Sequence, residues 1–122
     1  MKTRTRGIVA VSVAGLALCV SALAQDKASD TARRVEAGAA LYKKKGCYEC
    51  HVDDAQGGPQ GPRLGPNPIP LPRFTAYVRN PTGEMPPFTE RVLSSRELGD
   101  IYAFLQARPQ PKPVASLPQL AP

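Results

Sequence analysis

Five consecutive residues, Cys47-Tyr48-Glu49-Cys50-His51, carry the densest chemistry in the chain. Two thiols three positions apart on one turn can each form a thioether to one edge of a porphyrin, and the adjacent imidazole can swing beneath the ring to ligate iron. Three attachments define one plane. The same cysteines would suit a plain disulfide or a thioredoxin-like redox pair with His51 incidental, but thioredoxin folds need βαβ patterning and no strand period occurs here. A structural zinc site needs two more ligands. His51 is the only histidine, and the one other cysteine, Cys19, lies in an apolar leader.

If an iron sits above His51, its sixth position can be assigned by elimination. A bis-histidine site cannot form within one chain that has a single histidine, and Met1 belongs to the leader, so Met85 is the remaining thioether. Met85 stands in Gly83-Glu84-Met85-Pro86-Pro87-Phe88, where two prolines stiffen the backbone just after it. A methionine that only fills core space would more naturally sit on a helix stripe.

The leader has to be set aside before the fold is read. Lys2, Arg4 and Arg6 precede an apolar run from Ile8 to Leu23, and Ala22-Leu23-Ala24 supplies the small residues of a cleavage site, which predicts a signal peptide over 1–24 cut after Ala24. An uncleaved membrane anchor is the alternative reading of the same run, although it is shorter than the ~20 residues that span a bilayer comfortably. Arg4 and Arg6 are not adjacent, so the general secretory route is expected. Leu16-Ala17-Leu18 before Cys19 makes a poor lipidation site. Export predicts a periplasmic or otherwise extracytoplasmic protein, where two ordinary thiols would oxidise unless something else claimed them.

Of the 122 residues, 98 would then remain, enough for one small domain with a thin core that a large apolar prosthetic group would reinforce. Taking away Lys2, Arg4 and Arg6 lowers the formal charge from +6 to +3. That balance is too mild to argue for nucleic acid, and leaves room for a local docking patch at Lys43, Lys44 and Lys45, which also suit the end of a helix.

Helix chemistry runs from Asp30 to Lys45, with Ser29 or Asp30 as N-cap, Val35, Gly38, Leu41 and Tyr42 on one face, and Gly46 as a left-handed stop. Four glycines and six prolines between Val52 and Pro72 predict an ordered irregular loop. A short helix is expected over Pro72–Arg79 with Phe74, Tyr77 and Val78 inward, ended by Pro81. The clearest helix is Ser95–Arg108, where Ser94 and Glu97 form a capping box and Leu98, Ile101, Tyr102 and Leu105 an apolar stripe. Five prolines in the last 14 residues, 109–122, predict an extended tail after a domain over 25–108.

A helix leading into C-x-x-C-H, the segment Gly61-Pro62-Arg63-Leu64, a Met-Pro loop and a C-terminal amphipathic helix together resemble class I c-type cytochromes over about Val35 to Leu105. The resemblance implies an all-α fold, the small cytochrome c fold of three to four helices around one covalently attached haem c. It also implies that the Pro62 carbonyl orients His51 by accepting its other ring N–H. It has the first and last helices cross closely, with Gly38 against Ile101 and Phe104. Leu64, Phe74, Tyr77, Phe88 and Leu98 are then candidates to wall the haem, and Arg63, Arg73 and Arg79 candidates for its propionates.

A six-coordinate His/Met haem leaves no position for substrate, so the expected function is electron transfer between redox proteins such as a dehydrogenase, an oxidase or a membrane cytochrome complex, not catalysis. Three other readings stand beside it: a haem enzyme or sensor whose sixth ligand is displaceable, a subunit fixed in a larger dehydrogenase or oxidase, and a haem-free thiol module. A monomer or a subunit of a redox complex is expected, with membrane association only if the leader stays.

Overall fold

The computed structural model describes residues 12–113 and Ser116, with side chains from Gln25 onward. Among these residues the chain forms four helices and no strand: α1 (Ser12–Lys44), α2 (Cys47–His51), α3 (Leu71–Arg79) and α4 (Ser95–Gln106). The all-α fold expected from the sequence is the one observed. The predicted cleavage site after Ala24, the side chain of Cys19 and most of the proline-rich tail lie outside the described residues. No described helix is long and apolar enough to cross a membrane.

The chain divides into two compact units, Met1–Ala32 and Arg33–Pro122. In the first, α1 passes through Ser29 and Asp30 without a break, so neither is an N-cap. Nothing between Gln25 and Asp30 breaks a helix, and Ser29 Oγ instead donates back to the Asp26 carbonyl at 2.9 Å.

In the second unit the core gathers Tyr42 from α1, Phe74 and Val78 from α3, and Leu98, Ile101, Phe104 and Leu105 from α4, joined by Ala55 and Leu93 from the loops. The α1 stripe behaves as its period predicts: Gly38 and Tyr42 are buried, Val35 and Leu41 half-buried. A Cβ at Gly38 would stand 1.9 Å from the Asp100 carbonyl oxygen and 2.9 Å from Phe104 Cβ, so the missing side chain is what lets the helices cross. Phe104 is the expected partner. The other close atoms belong to the Asp100 backbone, while Ile101 turns toward the cavity described below. Arg34 braces the crossing, with Nε 2.9 Å from Asp100 Oδ1 and Nη2 donating to the Gly99 carbonyl. The Tyr42 and Phe104 rings pack at 5.1 Å between centroids.

Helix α3 starts one residue early, at Leu71, after Pro70 and with Pro72 in its first turn, where a missing N–H costs nothing. Phe74 and Val78 face inward as expected, but Tyr77 is 41% exposed. Its hydroxyl donates to the Thr82 carbonyl outside the core. Helix α4 carries the predicted capping box, with Ser94 accepting from the Glu97 N–H and Glu97 accepting from the Ser94 N–H. It ends at Gln106, two residues before the expected Arg108. The Arg108 side chain lies over the Phe104 ring at 3.9 Å and reaches Asp54.

Candidate haem-binding site

Gly46, at φ 77°, ends α1 and turns the chain directly into α2, so the motif occupies a helical turn of its own. On that turn Cys47 is half-buried, Cys50 exposed and His51 buried, and both thiols are free. His51 Nδ1 lies 2.7 Å from the Pro62 carbonyl. A carbonyl can only accept, so Nδ1 carries the proton and Nε2 keeps its lone pair for a metal. The bond implied for Pro62 is therefore present. Gly61 makes it reachable: a Cβ there would stand 2.8 Å from His51 Nδ1 and 2.9 Å from the Cys50 carbonyl, so only glycine lets the loop backbone lie against the ring.

The turn leaves α2 through Val52, at φ 56° and ψ 167°, a region that β-branched residues almost never adopt. Its carbonyl accepts from the Tyr42 hydroxyl at 2.8 Å and from the Ala55 N–H. Burial first, then the charges of Cys47, Asp53 and Asp54, push the Tyr42 phenol above its ordinary range, which keeps it a neutral donor. Tyr42 was legible in the sequence only as a core residue. Nothing in a valine signals a positive φ.

Cys47, Cys50, His51 and Pro62 line a cavity of about 1070 Å³ whose other walls include Leu64, Phe74, Tyr77, Met85, Phe88 and Leu98. Every residue singled out from the sequence as a haem-wall candidate is on that lining. Arg63 and Arg73 are there too, both exposed and neither side chain paired among the described residues, and Glu49 and Glu84 are on the same lining. Arg79 is not. Its guanidinium is turned to the Phe88 and Leu93 carbonyls and to Glu90, which removes it from the propionate candidates. Lys45, one of the three basic residues at the end of α1, lines the cavity but is held by the Val92 carbonyl and Glu97, and Lys43 pairs loosely with Asp53.

These residues fit a haem. The volume lies just above the ~300–1,000 Å³ typical of small-molecule pockets, and the core residues Phe74, Val78, Leu98 and Ile101 serve as its walls. Two thiols and an imidazole with its lone pair freed supply the donors. Burial pushes the Cys47 thiol up to about 11, against a weaker opposing backbone hydrogen bond. A redox-active thiol has its pKa lowered, the opposite of the shift at Cys47.

An all-helical domain built around a cavity that opens on a C-x-x-C-H turn is a c-type cytochrome domain. The family model described as cytochrome C oxidase, cbb3-type, subunit III matches residues 33–105, more than half of the chain. The chain belongs to that family. Comparisons with curated proteins and with solved structures return no match. Membership establishes a covalently bound haem c and haem-based electron transfer as the class of function.

Proposed function

We propose that the chain is an exported monohaem electron carrier in which Cys47 and Cys50 hold the haem through thioethers and His51 and Met85 are the axial ligands. The haem, when bound, supplies a one-electron iron couple. His51 is held by Pro62, so its Nε2 is presented in one tautomer and one orientation. That bond is the observation that carries the reading. Phe74, Leu98 and Ile101 exclude water from one side of the cavity, and Arg63 and Arg73 offer cations at its exposed lining. Met85, half-buried on the same lining, is the one thioether among the cavity residues.

The expected arrangement around this domain is a leader over 1–24 removed on export to the periplasm or its equivalent, and a tail over 109–122. The family description is that of an oxidase subunit, which supports a second reading: a component fixed in a redox complex, with the tail as a strap. Copurification of partners with the full chain, lost when residues 109–122 are deleted, would favour the fixed subunit over the free carrier.

The ferric absorption spectrum tests the ligand set. Wild-type holoprotein should be low-spin, and Met85→Ala should convert it to high spin. A high-spin wild type would overturn His/Met ligation and favour a displaceable site. The intact mass of the exported protein reports covalent haem and cleavage after Ala24 together.

A further inference from the structure

We propose that Arg79 is the positioning residue for Met85, closing the base of the loop that carries it and so setting how readily Met85 yields its place to another ligand. The proposal rests on the ligation by Met85 proposed above.

Between α3 and α4 the chain leaves at Arg79 and returns at Phe88. At that point the Phe88 N–H donates to the Val78 carbonyl at 3.0 Å. Arg79 completes the closure: Nη1 donates to the Phe88 carbonyl at 2.8 Å and to the Leu93 carbonyl at 2.6 Å, and Nη2 reaches Glu90 Oε2 at 2.6 Å. Glu90 extends the tie to α4, accepting from the Ser95 N–H at 2.7 Å and from the Ser95 hydroxyl at 2.9 Å. One guanidinium therefore joins the end of α3 to Phe88, where the loop returns, and through Glu90 and Leu93 to the start of α4. Lysine has no planar fork with which to make these bonds together.

Residues 81–87 have little else to hold them. Among the described residues no backbone hydrogen bond outside the helices involves any of them, and three of the seven are prolines, which have no N–H to give. Among the described residues, their side-chain ties are the Tyr77 hydroxyl at Thr82, three residues before Met85, and the packing of Met85 itself against the core. A segment anchored mainly at its base opens as a unit when the base opens. An outside ligand for the iron binds only the opened form, so its apparent affinity scales with the open fraction. Removing charge-assisted hydrogen bonds from the base should raise that fraction about tenfold or more.

The test is an imidazole titration of the ferric, full-length holoprotein, followed by its visible spectrum. Arg79→Met should bind imidazole about tenfold more tightly than wild type or better, with Arg79→Lys between the two. Arg34→Gln breaks a comparable tie at the α1–α4 crossing. It should lower thermal stability and leave imidazole affinity unchanged. Equal tightening by Arg34→Gln would mean general loosening, and would overturn the assignment. So would an Arg79→Met affinity within about twofold of wild type while Met85→Ala binds imidazole strongly. If Met85→Ala binds imidazole no better than wild type, Met85 is not the displaced ligand, and both the ligation and the clamp fall. Should Arg79→Met not accumulate as holoprotein, Glu90→Gln carries the same test, with an expected tightening of about two- to threefold.

Discussion

Replacing Gly38 by alanine separates a packing role from a merely helical one, because the two roles predict opposite signs. In an unobstructed helix the change would stabilise by about 1 kcal/mol, since glycine loses more backbone freedom on folding than alanine. In this fold the new Cβ would lie 1.9 Å from the Asp100 carbonyl oxygen and 2.5 Å from its carbon. Ordinary carbon contacts begin near ~3.5 Å, so the two helices must part by more than about 1 Å. The obstacle is backbone, which cannot rotate away as a side-chain end could. Parting the helices also strains the Arg34 bonds to Asp100 and Gly99 and the Tyr42–Phe104 contact. Overpacking of this kind costs about 1–3 kcal/mol, and we take the upper end because the clash is with main chain. The net loss after the helix gain is about 2 kcal/mol, a fall in Tm of about 8–16 °C for a domain near a hundred residues. Thermal unfolding of the ferric holoprotein by far-ultraviolet circular dichroism measures it. An unchanged or raised Tm would refute the close crossing.

Two further outcomes follow from the structure. Val52→Gly should raise the midpoint of denaturant unfolding, because glycine alone is at ease at φ 56° and ψ 167°, whereas Val52→Ala should not; equal effects of the two would mean that the turn after His51 is unstrained. At low pH the carboxyls of Glu97 and Glu90 matter. Backbone hydrogen bonds from Ser94 and Ser95 respectively hold each below the usual carboxylate range, so their contribution to stability is full above the unfolded value of ~4.3 and is lost as pH falls through the lower folded value. Glu97→Gln should flatten the acid-unfolding slope, and an unaltered slope would exclude the Glu97 carboxyl as its source; Ser94→Ala, which keeps the backbone N–H, should cost about 1 kcal/mol at neutral pH.

Much of the site could be read locally. The motif Cys47 to His51 is contiguous, and its chemistry depends on spacing alone. The capping box at Ser94 and Glu97 and the stripe of Leu98, Ile101 and Leu105 likewise depend on residues within a turn or two of one another, so α4 was legible to within two residues. The false N-cap at Ser29 and Asp30 shows the limit of the same method. A capping side chain permits a helix start, but only a break before it demands one, and Gln25 to Ala28 provide none.

The C-x-x-C-H turn, the helical class and the set of residues available to ligate can be read along the chain, because each follows from residue type at short separation. Resemblance to a family added Pro62 and the crossing at Gly38. Tertiary packing selects which partners distant groups take. It turned Arg79 from the cavity to the Phe88 and Leu93 carbonyls, stood Gly38 against the Asp100 backbone, and tied Tyr42 to the carbonyl of a strained Val52. A guanidinium, a missing Cβ and a phenol each suit several partners chemically. The choice among them depends on which backbone passes within about 3 Å, and that is set by the packing of the whole chain.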